Sequence, residues 1–408
     1  MSTPIETYNG FPRLSLQERE RRFAAVRDRM KQRSIDCVVI RSDSSKWDAG
    51  SAEGRYLSHI GGNGEDGYVI FDIKEEPVFI IWGPDHVSNW LEIQGWTKDI
   101  RPMVPSAADA IVKRIKQLGR EKGTIGLVGR LGSRLWRGEG RWPQGNHQIL
   151  QRELPQAKFV DFDEELWAIM AIKSDEEIYC IERAMQIIEQ ALEGLYESAR
   201  VGTRIPEVVG RVYGSILSAG SDSSIQVLFA AGERTPRVAG RIFPDRRLER
   251  GDMIINEITA KYCGYWAQVH APISVGEPPR PEFQRVFEAA FAALQAGISA
   301  LKPGITTMQL AQAVQKPVLE MGYDVNAMPL FKGMGTTIAE FPYSPTGVGL
   351  DATGKARSFE IQPGQVILFE PAAYDEKLKV GIHIGEQVVV TQDGCHRIGK
   401  RKLELKVT

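Results

Sequence analysis

Residues 251–276 read GDMIINEITAKYCGYWAQVHAPISVG, and their pattern decides the fold. MIINEI (253–258) is a strand run with apolar residues on both sides of Glu257. Residues 261–264 carry turn chemistry, and YWAQVHAPISV (265–275) runs out as a second strand, so the stretch predicts a β-hairpin. Alternation puts Gln268 and His270 on one face of the second strand, two residues apart. A Glu within an apolar strand and a His on its partner are polar groups in a place that favours burial. Such groups need partners or a task. Glu257 and His270 are therefore either a structural hydrogen-bonded pair or part of a site.

The chain has 408 residues, enough for two domains with real cores. Its 51 basic and 52 acidic residues nearly cancel, which argues against a general binder of nucleic acid or of membrane surfaces. No apolar run reaches the roughly 20 residues of a spanning helix, and the first residues show no charged-then-apolar signal. Four scattered cysteines (Cys37, Cys180, Cys263, Cys395) with no CxxC pair suggest free thiols in a reducing cytosol.

In the first half, residues 16–34 have a helical pattern with Phe23, Val26 and Met30 on one face. IDCVVI (35–40) reads as a buried strand and RSDSSKWDAGSAEG (41–54) as a loop. YVIFDI and PVFIIW predict a hairpin, residues 107–118 a helix, and GTIGLVG and AKFVDF two further strands. This alternation predicts an α/β domain. The glycines of GTIGLVG do not form the GxGxxG that opens a helix, so a dinucleotide site is excluded.

Ser174 with Glu177 three residues on has the pattern of a capping box at the head of a long amphipathic helix. Helices are expected from near Ile205-Pro206, with the Pro early in the helix, over 281–300, and after residue 304. Gly202-Thr203-Arg204-Ile205 is echoed by Gly304-Ile305-Thr306-Thr307, which suggests two similar α/β units in the second half.

These segments together resemble the pita-bread superfamily of methionine aminopeptidase, prolidase, aminopeptidase P and creatinase. In that family the hairpin reads roughly GDLVLIDIGAxYxGYxSDITRTFxVG, and Ile172-Lys173-Ser174-Asp175-Glu176-Glu177-Ile178 matches its IKSxxEI junction. Arg55-Tyr56-Leu57-Ser58-His59 sits where relatives carry an IRYLTGF-like segment. The resemblance spans residues 20–405. It implies an α/β creatinase-type N-terminal domain (1–165), an α+β pita-bread C-terminal domain (166–408) and a homodimer. Trp47, Arg55 and His59 are the first domain's candidates to contact substrate, and each reads equally well as an ordinary loop or turn residue.

The resemblance also supplies a ligand set of Asp, Asp, His, Glu and Glu around two divalent ions. Position by position, this chain offers Glu257, Gln268, Lys332, Glu370 and Gly385, with Ala339-Glu340-Phe341-Pro342 at the later HEPP-like segment. Only Glu370 is kept as it stands. Glu386 could stand in for the fifth ligand only through a bulge. A lysine at the His position repels a divalent ion and pairs with Glu257 or Glu370.

The expectation is a metal-independent hydrolase with no cofactor, acting on a C–N bond of a small, carboxylate-bearing molecule. His270 or His383 would be the general acid or base, with Glu257 and Glu370 orienting it. Lys332, Gln268, Glu340, Arg237 and Arg241 would hold the substrate. Two alternatives stay open. One is a lyase or decarboxylase, including a rearranged single-metal site of His270, His383 and Glu370. The other is a relative that binds without turnover.

Overall fold

A computed structural model describes residues 5–130, 141–223, 225–236, 239–240, 242–325, 330–344 and 357–408. Contacts divide the chain into two compact units, residues 1–170 with 174–176 and residues 171–173 with 177–408.

The first unit is built on a six-stranded mixed sheet in the order Asp99–Pro102, Val78–Ile81, Gly67–Asp72, Cys37–Ser42, Thr124–Val128, Lys158–Asp161. The predicted hairpin is present, with Gly67–Asp72 antiparallel to Val78–Ile81. Period-two alternation sends Val38 and Ile40 to one face, where Phe23, Val26 and Met30 of the helix Leu16–Gln32 cover them. It sends Cys37 and Val39 to the other face, against Ile111 and Ile115 of the helix Ala107–Gln117. Both faces are buried, which is why these strands read as unbroken apolar runs.

One expectation fails here. Residues 41–54 are not a plain loop: they hold the helix Ser45–Asp48, a 3-10 turn Ala49–Ser51 and the start of the helix Ala52–Ser58. Gly50 and Gly54 are not turn formers in this segment. A Cβ at Gly50 would collide with Asp43, and one at Gly54 with Ser42, so they mark close packing on the neighbouring strand.

In the second unit, the strand Met253–Tyr262 pairs with Val227–Gly232 on one side and with Tyr265–Val269 and Ile273–Ser274 on the other. A second sheet runs Glu340–Tyr343, Phe331–Gly333, Val366–Phe369, Glu386–Val390, Cys395–Arg397. A two-stranded ribbon joins Ala372–Asp375 to Val380–His383. The helices Asp175–Ser198, Ile205–Ser218, Pro281–Ala300 and Thr307–Glu320 match their expected places.

The internal echo is physical. Gly202 and Gly304 both adopt positive φ (89° and 84°), and each donates its N–H to a carbonyl, of Leu248 and Ile361 respectively. The hairpin turn is tighter than the sequence suggested. Cys263 (φ 54°) and Gly264 (φ 81°) alone form it, which is a two-residue turn of type I′ character, and Lys261 belongs to the strand.

Candidate active site

The second hairpin strand is not continuous, contrary to the expectation for residues 265–275. It stops at Val269 and resumes at Ile273. One register nevertheless holds across the break, Ile258 facing Val269 and Ile254 facing Ile273, so His270 falls opposite Glu257. Pro272 has no N–H to offer the ladder. The side chain of Asn256 takes over: its Nδ2 donates to the Ala271 carbonyl (2.6 Å) and its Oδ1 accepts from the Ala271 N–H (3.1 Å).

Released from the hairpin, His270 bridges instead to Gly385, each N–H donating to the other's carbonyl (3.4 and 3.3 Å). Arg401 clamps that bridge, with Nη2 donating to the carbonyls of Gly385 (2.6 Å) and His270 (3.3 Å). Glu386 is turned towards Arg397 (3.0 Å) and Arg401 (3.6 Å). The register of its strand is unbroken, with Phe369 facing Glu386 and Leu368 facing Gln387. No bulge carries Glu386 into the fifth-ligand position, and Gly385 stays there.

Six predicted side chains meet in this interior. Nε2 of Gln268 lies 2.8 Å from Nε2 of His270 and 3.4 Å from Oε2 of Glu257. Gln226 reaches the same Glu257 oxygen at 3.4 Å. His270 Nε2 is 3.6 Å from Glu370 Oε2. The Lys332 ammonium sits 3.0 Å from both Glu370 oxygens. The rings of His270 and His383 have centroids 4.4 Å apart, inclined at 50°. All six residues are between 0% and 5% exposed.

Glu340 is not part of this group. Glu340 is paired with Lys173 at 2.9 Å, in a cluster where Tyr265 donates to Glu177 (2.8 Å). In the first unit, His59 is buried with its ring stacked on Trp96 at 5.0 Å, and Arg55 is buried and donates to the Gly61 carbonyl. Trp47 is half-buried there, with a positive φ of 59°. Arg237 and Arg241 lie outside the described residues.

Sequence reasoning missed Gln226, Asn256, Gln387 and Arg401. Asn256 and Gln387 carried the same signal as Glu257, a polar residue inside an apolar strand. Gln387 accepts the Gln268 backbone N–H (3.2 Å) and donates to the Trp266 carbonyl (3.3 Å). Gln226 and Arg401 sit among residues whose local pattern says nothing about a site.

Electrostatics here are ruled by desolvation. Burial, helped by His383, Lys332 and Arg401, holds the His270 pKa well below the usual imidazole value. Burial brings His383 down to about 4, with the backbone at Asn256 opposing. Both imidazoles are neutral at pH 7. Burial raises Glu370 and the Lys332 ammonium pulls it back only in part. His270 Nδ1 and both ring nitrogens of His383 make no hydrogen bond of normal geometry among the described residues. A buried polar atom without a partner costs about 1–3 kcal/mol.

These residues do not fit a pair of divalent ions. The retained carboxylate, Glu370, is taken at both oxygens by an ammonium. An amide stands at the second Asp position and a glycine at the last. A Cβ at Gly385 would lie 2.8 Å from His270 Cγ, so the imidazole fills the room that a side chain there would need. Among the described residues, no three or more His, Cys, Asp or Glu side chains are grouped to hold a metal ion.

Residues 22–172 match the Creatinase/Prolidase N-terminal domain and residues 179–392 match Metallopeptidase family M24. A Xaa-Pro dipeptidase of Pyrococcus furiosus is 28% identical over 250 residues, 61% of this chain and 68% of that protein. A Xaa-Pro dipeptidase structure from Bacillus anthracis superposes with a TM-score of 0.78 at 21% identity, over 96% of this chain and 100% of that one. An X-Pro aminopeptidase structure from Thermotoga maritima gives 0.79 at 21% identity, over 95% and 99%. The expected two-domain pita-bread architecture is therefore the one observed, and the chain belongs to Metallopeptidase family M24.

Proposed function

We propose that this protein is a hydrolase of its family that cleaves a C–N bond of a small, polar, carboxylate-bearing molecule without a metal ion. Relatives named as Xaa-Pro dipeptidases support C–N cleavage. The observation that carries the rest is the pairing of two neutral, buried imidazoles 4.4 Å apart beside the Lys332–Glu370 ion pair. Imidazoles with unused ring nitrogens can accept and donate protons. The ammonium of Lys332 provides a fixed positive charge next to the reacting groups, the electrostatic role that an ion holds in relatives. Glu257 and Gln268 orient His270. Lys332, Glu340, Arg237 and Arg241 remain candidates for holding the substrate, with Trp47, Arg55 and His59 of the first unit. A homodimer in the cytosol completes the reading. Among the described residues no helix is long and apolar enough to cross a membrane.

The second reading, a relative that binds but does not turn over, is favoured by one fact: Lys332 and Glu370 are already paired with each other. Elemental analysis of purified protein before and after mild chelation, with thermal unfolding recorded alongside, tests the first reading. It expects no stoichiometric divalent metal and no change in Tm. A stoichiometric ion whose removal lowers Tm would sink it. A screen of small C–N substrates with the His270→Ala and His383→Ala variants then separates the two readings, since the binding protein predicts no turnover to lose.

A further inference from the structure

We infer that Gln268, itself oriented by Glu257, holds His270 as the Nδ1–H tautomer, which divides the labour of the histidine pair. His270 is then the hydrogen-bond donor to the substrate carbonyl, and His383 is the base. This rests on the hydrolase reading above and deepens it.

The orientation of the Gln268 amide is set by its two neighbours. The end of the amide that lies 2.8 Å from His270 Nε2 also lies 3.4 Å from Glu257 Oε2. Turned the other way, the amide would set its oxygen against the Glu257 carboxyl oxygen and take its NH2 away from that acceptor. The NH2 therefore faces Glu257 and His270 together. The strand holds it there, because the Gln268 backbone N–H is tied to Gln387 Oε1. An N–H directed at an imidazole nitrogen at that distance meets a lone pair, so Nε2 carries no proton. In a neutral ring the proton then sits on Nδ1.

Nδ1 lies against Gly385: a Cβ built on that glycine would lie 3.1 Å from it. This N–H is buried and has no partner among the described residues. It is a donor waiting for an acceptor. A neutral imidazole is a poor proton source, but it donates a hydrogen bond well to a carbonyl oxygen that is gaining charge. The backbone at Asn256 favours the protonated form of His383, and neither of its ring nitrogens accepts a hydrogen bond of normal geometry among the described residues, so His383 is the acceptor of the pair.

The step balances without a co-reactant. His383 takes a proton from water as the oxygen adds to the carbonyl carbon. The oxyanion is held by His270 Nδ1–H. The C–N bond breaks as the leaving nitrogen takes the proton back from His383, releasing acid and amine. Gln268 is a positioning residue in this scheme and does not touch the substrate.

The test is imidazole NMR on protein labelled with 15N-histidine, with His270 assigned by its own substitution. At pH 7.5 the wild type should show a protonated Nδ1 and an unprotonated Nε2 at His270. Gln268→Glu replaces the donor by an acceptor, and should move the proton to Nε2 and raise the His270 pKa. Nε2–H in the wild type, or a tautomer unmoved in Gln268→Glu, overturns the inference. Because the tautomer is read in the resting protein, this outcome is separate from the hydrolase reading, which fails instead if His270→Ala and His383→Ala keep full turnover. Once a substrate is found, Gln268→Glu should lower kcat at least tenfold with KM little changed, whereas a merely structural role would not split the two.

Discussion

Each unit buries a cluster of ionisable groups, and the two clusters are shifted in opposite directions. In the first unit, Arg141 donates to Asp43 (3.1 Å), to Glu53 (2.9 Å) and to the Gly50 carbonyl. The remaining oxygens are used as well, by Trp167 on Glu53 (2.9 Å) and by the Ser45 N–H on Asp43 (3.0 Å). Burial alone would raise Asp43, but Arg141 and Ser45 overcome it and its pKa falls; Arg141 rises for the matching reason. Charge is native to that cluster. Around His270 burial wins: both imidazoles fall and Glu370 rises. Partners complete the first cluster, and the second is left with spare buried nitrogens. A structural network uses up its hydrogen-bonding capacity, whereas a site keeps some in reserve.

Four experiments can break or sharpen that contrast. The largest effect is expected in turnover. His270→Ala and His383→Ala should each cost a factor of about 10²–10⁴ in kcat, measured on whichever C–N substrate the screen yields. Next comes Arg141→Ala, which removes the cation from Glu53 and leaves buried Asp43 only Arg41, 3.9 Å away. It should lose roughly 3–5 kcal/mol of stability in urea unfolding while leaving the pocket chemistry alone. A loss below about 1 kcal/mol would mean that the two clusters are not different in kind.

The third effect is on pH. His383 titrates near 4 when folded and near 6.5 when unfolded. Between those values the unfolded chain binds a proton that the folded protein refuses, so this residue's contribution is lost as pH falls through the window. The full difference is worth ~3 kcal/mol. Glu370 works in the opposite sense, because its folded pKa is raised and it costs stability as pH rises above its unfolded value. Comparing wild type with His383→Leu at pH 7 and pH 4.5 isolates the histidine, and equal pH dependence in the two proteins would refute its assignment as neutral. The smallest effect is that of Gly385→Ala. Its Cβ would press on His270 Cγ at 2.8 Å, an overpacking that costs about 1–3 kcal/mol. An unperturbed Tm would show that the imidazole has room to move.

Much of the second unit was legible along the chain because its signals are local. The helices over 281–300 and after residue 304 follow from apolar spacing, and the Gly202 and Gly304 echo from residues that must take positive φ. The segment 41–54 misled because Gly50 and Gly54 act through tertiary packing and not through turn chemistry. Asn256 was overlooked although it sits one residue before Glu257 in the same apolar run. Its role is to replace a ladder bond lost beside Pro272, which shows only once both strands are in register.

By itself, the order of residues determined the two-part architecture, the hairpin, and which polar residues interrupt its apolar strands. Each of these is read from spacing along one segment. Only the tertiary structure decided which polar groups satisfy one another: that Lys332 closes on Glu370, that Glu386 turns away to arginines, and that His270 leans into the room at Gly385. Those choices join residues 11 positions apart for Glu386 and Arg397, 38 apart for Lys332 and Glu370, and more than a hundred apart for His270 and Gly385. Whether a buried charge is neutralised or left in reserve depends on distances of a few ångströms, which alternation and composition do not contain.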